Sequence, residues 1–215
     1  MQFESSDIKA MDARRRAGMI NSVSGFKSAN LIGTSNAKGQ TNLAIMSSAV
    51  HLGSSPPLLA LVIRPSNDEH HTLANILDSG CYSINHVTST IVEQAHQTAA
   101  RYPAGISEFD ATGLTPLWHE GFGAPMVAEA GVKLGLSLRE HHELAINGTN
   151  MVIGEVVFVE VPAGCIAEDG CIDLAGAGTV ALSGLDTYYQ AVAPKRMAYA
   201  KTHLPPRVLS DASGQ

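Results

Sequence analysis

The alternation of apolar and polar positions divides this chain into short strands interrupted by helices. Strands are expected over residues 31–35, 42–52 and 58–64, separated by turns at Asn36-Ala37-Lys38-Gly39 and Gly53-Ser54-Ser55-Pro56-Pro57, which together read as a meander. Residues 72–79 place Leu73, Ile76 and Leu77 on one helical face and stop at Gly80, which suits a left-handed helix end. Period-two alternation returns over 81–87, and helical spacing over 90–100 through Ile91, Val92, Ala95 and Ala99. A loop rich in Gly and Pro then runs over 101–125 and holds the only Trp, Trp118. Two long strands, 133–144 and 151–161, flank Asn147-Gly148, the sharpest hairpin signal in the chain, and are expected to pair. After a turn at Glu168-Asp169-Gly170 come a brief apolar segment, 171–174, and a glycine turn at 175–178. The pattern implies a mainly β protein with helical insertions, most simply a closed barrel.

Composition narrows this to one domain. With 215 residues, 45% of them apolar and 16% charged, the chain has material for a sizeable core and no stretch of disordered composition. The expected organisation is a helical N-terminal segment over 1–28, a barrel over 29–190 and a polar tail over 191–215. Fourteen basic residues against twenty acidic ones leave a charge of −6, which disfavours nucleic acid as a partner. Arg14, Arg15 and Arg16 form the one tight basic cluster and read as a solvated helix face. No apolar run reaches the ~18 residues of a membrane span, and the first residues lack the layout of a secretory signal, so a cytoplasmic location without membrane contact is expected. Cys81, Cys165 and Cys171 are odd in number and lie in apolar surroundings, which fits reduced core thiols better than a zinc site.

Two regions stand out chemically. In residues 42–49 the small residues Ala44, Ser47 and Ser48 interrupt a run where bulkier side chains would pack better. Either another element packs closely there, or a planar polar heterocycle approaches the backbone, bonded by amides and hydroxyls. The second region joins Arg64, at the end of a strand, to His70-His71-Thr72 at a helix start, whose free amides suit a phosphate; Thr72 also reads simply as a helix cap. The pairs His70-His71 and His141-His142 raise a metal reading, but adjacent histidines on a strand point to opposite faces and chelate poorly. Gly176-Ala177-Gly178 lacks the strand, helix and acidic residue of a dinucleotide fold and reads as a turn.

One ordered series goes further. Asn42-Leu43-Ala44, Ser47, Pro56-Pro57-Leu58, the segment from His71 to Ile76, Ile84-Asn85, Ser107-Glu108-Phe109, Thr112-Gly113-Leu114-Thr115, Val152-Ile153-Gly154-Glu155-Val156 and Ser183-Gly184-Leu185-Asp186-Thr187-Tyr188-Tyr189 together resemble the flavin reductase-like family. The resemblance covers about residues 29–190 and implies an FMN-binding split β-barrel, Greek-key-like, that forms a homodimer with the flavin near the interface. Carried over by position, it implies that Asn42, Ala44, Ser47 and Ser48 line the flavin ring and its ribityl chain, with Asn85 near the ring. Arg64, His71 and Thr72 would hold the phosphate, and Tyr188 or Tyr189, of the same or the second subunit, would close the pocket. Many relatives have Lys-Asp-Thr where this chain has His70-His71-Thr72, so Arg64, Arg101 or His70 must replace the usual lysine charge. Relatives also commonly have proline at Ile45 and Arg-Leu-Gly-Gly at Leu182-Ser183-Gly184-Leu185.

The function this implies is an NAD(P)H-dependent flavin reductase, taking hydride from NADH or NADPH through FMN to a flavin or another small acceptor, with FAD the less favoured cofactor. No catalytic acid or base is required of the protein, because hydride transfer belongs to the cofactor. The alternatives are an FMN-binding electron carrier without nicotinamide turnover and a pyridoxamine phosphate oxidase-like enzyme. The latter needs a second basic pocket for which the chain has few residues.

Overall fold

The computed structural model describes residues 1–65, 71–103, 105–192 and 194–209. Two helices open the chain, α1 (Ser5–Ala10) and α2 (Ala13–Val23), neither with a buried residue. Asp12 caps α2 by accepting the Arg15 amide at 2.9 Å. The strands are β1 (Lys27–Ser28), β2 (Asn30–Ser35), β3 (Thr41–Met46), β4 (Ala49–Ser54), β5 (Pro57–Ile63), β6 (Cys81–His86), β7 (Pro116–Leu117), β8 (Met126–Val127), β9 (Lys133–Leu144), β10 (Thr149–Glu160), β11 (Val180–Ser183) and β12 (Thr187–Gln190). Helices α3 (His71–Ser79), α4 (Val92–Gln97) and α5 (Glu108–Thr112) interrupt them.

Seven strands form one sheet in the order β3-β2-β6-β9-β10-β5-β4. Laid flat, its edges would stand about 29 Å apart, at about 4.8 Å per strand. Yet only Ser47 and Ser48 separate the end of β3 from the start of β4, a reach of at most about 11 Å. The sheet must therefore roll up until its two edges meet at those serines. The barrel is closed everywhere except along the seam between β3 and β4.

This geometry corrects the expected meander. Residues 42–52 are two strands on opposite edges of the sheet, not one, because the chain leaves one hairpin at Ser47 and enters the next. The seam is fixed by Ser48, whose carbonyl accepts the Val62 amide at 3.2 Å and whose hydroxyl donates to the Val62 carbonyl. The expected β9–β10 hairpin is present, with Gly148 at φ +70°, a conformation that favours glycine.

The apolar side chains segregate to the two sides of the sheet. Ile32, Leu61, Tyr82, Ile84, Leu136 and Val152 fill the barrel, and Leu73 and Ile76 of α3 plug it. Leu31, next to Ile32 but on the other face, joins Leu43, Ala95, Phe109, Val127 and Leu182 in an outer core beneath α4 and α5. The loop expected over 101–125 thus contains α5 and β7, and Phe109 is its anchor. The cysteines are not core thiols: all three are free, Cys81 half-buried at the start of β6, Cys165 half-buried and Cys171 exposed in a turn outside both cores. No helix among the described residues is long and apolar enough to cross a membrane.

Candidate functional site

The seam opens into a cleft of about 1100 Å³. Its floor is β3, whose residues Asn42, Ala44 and Met46 line it together with Ser47 and Ser48. Across from them stand Val62, Ile63 and Arg64 at the end of β5, then His71, Thr72 and Asn75 in the first turns of α3. The loop from α4 to α5, with Thr98, Arg101 and Glu108, makes the third wall, and Asn21, Leu182 and Leu185 reach its mouth.

Side-chain bonds tie these walls together. Asn42 donates to the Thr72 hydroxyl at 3.0 Å, and Asn75 donates to that of Thr34 at 3.1 Å, so α3 is pinned to the floor strand and its neighbour. On the opposite edge of β3, the Leu43 amide donates to the Glu108 carboxylate at 2.9 Å and the Ile45 amide to the Thr98 hydroxyl at 2.9 Å. Thr41 and Ser107 join their hydroxyls at 2.6 Å. An edge strand that would otherwise present bare amides is thereby sealed by side chains of the α4–α5 segment. The amides of Leu43 and Ile45 are consequently committed to protein partners. Any ligand meeting the backbone of this strand meets it at the serine seam.

Eight of the ten residues singled out from the sequence converge here: Asn42, Ala44, Ser47, Ser48, Arg64, His71, Thr72 and Arg101 all line the cleft. Arg64, His71 and Arg101 are exposed, whereas Thr72 is buried. Thr72 lies inside α3, and its hydroxyl accepts from Asn42. His70 lies outside the described residues.

The other two, Asn85 and Tyr188, do not line this cleft. Asn85 is fully buried away from the cleft, where its amide donates to the Leu31 carbonyl at 3.0 Å and to Ser83 at 2.9 Å and its oxygen accepts from Val127 N at 3.0 Å. With both amide hydrogens donated and its oxygen on the Val127 amide, Asn85 ties β2 to β8. Tyr188 packs on the outer core and meets Nδ1 of His96 at 3.1 Å, outside the cleft lining. Burial and then the charge of Asp186 push its phenol pKa up.

The cleft is also lined by residues to which the sequence assigns no site role: Asn75, Thr98, Glu108, Leu182 and Leu185. Ser107 followed by Glu108 carries a readable signal, a capping residue with an acid in the first turn, and Ser107 does cap α5. Nothing local marks Leu182 and Leu185, which arrive from over a hundred residues away. His141 and His142 bond to Asn150 and Glu140, each at 2.7 Å, and no metal-type cluster of three or more His, Cys, Asp or Glu occurs among the described residues.

The sequence and fold were compared with known proteins. The family model described as "Flavin reductase like domain" matches residues 23–171, more than half of the chain. A solved structure of a candidate flavin reductase with a split barrel domain from Shewanella frigidimarina NCIMB 400 is 52% identical, with a TM-score of 0.90 over 93% of this chain and 100% of that one. An FMN-binding protein from Thermus thermophilus shares the fold at 18% identity, with a TM-score of 0.65 over 79% of this chain and 91% of that one. An uncharacterised protein from Aquifex aeolicus (strain VF5) is 26% identical over 132 residues, 60% of this chain and 66% of its own length. The match thus spans just under two thirds of that relative. With more than half its length matched by the family model and its rolled sheet split at Ser47-Ser48, this chain belongs to the flavin reductase-like domain family.

Proposed function

We propose that the cleft binds FMN and that the protein is a homodimeric NAD(P)H-dependent reductase, delivering electrons to a flavin or another small acceptor. The observation that carries this reading is the convergence on one cleft of small seam residues and, apart from them in sequence, Arg64, Arg101 and His71. Ala44 leaves the floor open to a flat ring and Ser47 offers it a hydroxyl, while Arg64, Arg101 and the helix start at His71-Thr72 suit a terminal phosphate. That donor set fits a flavin mononucleotide. FMN, when bound, supplies the hydride chemistry.

The residues of the chain bind and orient. Asn42 and Thr72, already bonded to each other, hold the floor strand against α3. Glu108 and Thr98 fix the other edge, so the floor keeps its shape without help from a ligand. The cleft volume stands at the upper end of the roughly 300–1,000 Å³ typical of ligand sites, which suits a ligand as large as a flavin nucleotide.

Rapid mixing of the FMN-loaded protein with NADH, and separately with NADPH, followed by flavin bleaching, tests the activity. Reduction by one nicotinamide well above the rate of free FMN is expected. Reduction by neither above that rate overturns the reductase reading and leaves an FMN-binding carrier.

A further inference from the structure

We propose that residues 191–209 form an arm that docks on a second copy of this chain, held by apolar anchors and by charge. It rests on the homodimer in the reading above and names the surface that builds it.

The arm is folded but packed against almost nothing. Met197 and Val208 form a β-bridge, the Ala198 amide donates to the Arg207 carbonyl at 2.9 Å, and the Leu209 amide to the Arg196 carbonyl at 2.9 Å. Arg196 also pairs with Asp169 at 2.6 Å, tying the arm to the turn at 168–170. Yet none of its described residues is buried, and only Arg196, Ala198 and Leu209 are even half-buried. Val192 is 84% exposed, Tyr199 91% and Leu204 55%. A closed backbone loop that turns such side chains to water is a surface awaiting a partner.

The area of the chain agrees. It exposes 13200 Å², whereas a compact monomer of its 22.6 kDa exposes about 9,500 Å². Suppose each of the thirteen residues outside the described set contributed the ~160 Å² of an unfolded residue; roughly 1,600 Å² of excess would still remain. An obligate dimer buries about 1,000–2,500 Å² on each partner, so one symmetric interface absorbs that excess. Helices α1 and α2, with no buried residue, share in it.

Charge selects the occupant. The arm carries Lys195, Arg196, Lys201 and Arg207 and no carboxylate, so the rest of a chain with net charge −6 carries −10. The body of a second copy attracts this arm, while the same acidic body held beside it repels an anionic membrane or a nucleic acid. That body also exposes apolar strands to receive it, with Val50 at 55% and Val157 at 51%.

Sedimentation of the full chain across nanomolar to micromolar concentration, at low and high salt, tests this. The variants are the triple Lys195→Glu, Lys201→Glu, Arg207→Glu and the double Tyr199→Ser, Leu204→Ser, all at exposed positions, with circular dichroism reporting the fold. A wild-type dimer is expected whose dissociation constant rises with salt and rises on the order of 100-fold in the triple variant, with a similar loss in the double. A dimer of unchanged affinity in both variants overturns the arm and spares the dimer. A wild type that stays monomeric overturns both. Binding of the wild type, but not the triple variant, to vesicles of anionic phospholipid, with dimerisation intact in both, assigns the arm to a membrane instead.

Discussion

Replacing Gly154 with alanine probes the barrel interior at its tightest point. Gly154 lies on β10 at an irregularity in its pairing with β9, and a methyl group built there falls well inside contact distance of the Tyr82 hydroxyl. The same methyl lies 2.9 Å from Tyr82 Cζ and 3.1 Å from Leu136 Cδ2, where carbon atoms normally stand about 3.5–4.0 Å apart. Tyr82 is fully buried and its hydroxyl has no partner, so the ring must move within a filled core by at least about half an ångström. Overpacking of this kind costs about 1–3 kcal/mol. In a chain of this size each kcal/mol lowers the Tm by about 2–4 °C, so Gly154→Ala is expected to lose roughly 2–12 °C. Tyr82→Phe removes the unpartnered hydroxyl, whose burial costs about 1–3 kcal/mol, against a small loss of contacts; its stability is expected to match or exceed wild type. With the hydroxyl gone the methyl meets less, so the double variant should recover about 1 kcal/mol relative to the sum of the singles. Thermal and urea unfolding of the four proteins measures this cycle. A Gly154→Ala protein within 0.5 kcal/mol of wild type, on the order of an ordinary surface change, or strictly additive effects in the double, would refute the packing argument.

Three further substitutions separate structural from binding roles. Asn85→Ala takes its acceptor from the buried Val127 amide and a side-chain donor from the Leu31 carbonyl, and should cost about 1–3 kcal/mol in urea unfolding while FMN affinity of the folded protein stays unchanged; a selective loss of affinity would return Asn85 to the site. Glu108→Ala frees the Leu43 amide at the cleft and should weaken FMN binding about tenfold by fluorescence titration, with Glu108→Gln retaining most of the affinity because its amide oxygen still accepts; equal losses in both would contradict the positioning role. Burial lowers the His86 imidazole pKa below its ordinary value, so the unfolded chain takes up the proton first as pH falls. The stability tied to neutral His86 is full above about pH 6.5 and is lost as pH drops from there towards the lower folded pKa. His86→Gln should therefore show a shallower fall in Tm between pH 7.5 and 5.5 than wild type, and parallel profiles would sink the assignment.

How much of this was readable in the sequence depends on the range of each signal. Helix α3 with its Gly80 stop and the Asn147-Gly148 hairpin follow from local periodicity and turn chemistry, and both stand in the structure close to where the pattern places them. The break at Ser47-Ser48 is visible as a lapse in strand-forming residues, but the local pattern places it within one strand. Its cause is topological: the serines join opposite edges of a sheet, and no window of a dozen residues contains that fact. Asn85 misled for a related reason, since an asparagine in an apolar strand signals a polar obligation without saying whether backbone or ligand meets it. The seal on β3 by Glu108 and Thr98 joins residues more than fifty positions apart and emerges only from the fold.

The central claim is that the cleft at the seam holds FMN. Titrating flavin-free protein with FMN, by quenching of flavin fluorescence, for wild type and for Ala44→Leu measures it directly. Ala44 is half-buried on the cleft floor, and leucine there fills the space a flat ring would need. Stoichiometric, saturable binding by wild type, lost by at least about 100-fold in Ala44→Leu with the fold intact, is the predicted result. A wild type that takes up no FMN, or an Ala44→Leu protein that binds it equally well, would contradict the account.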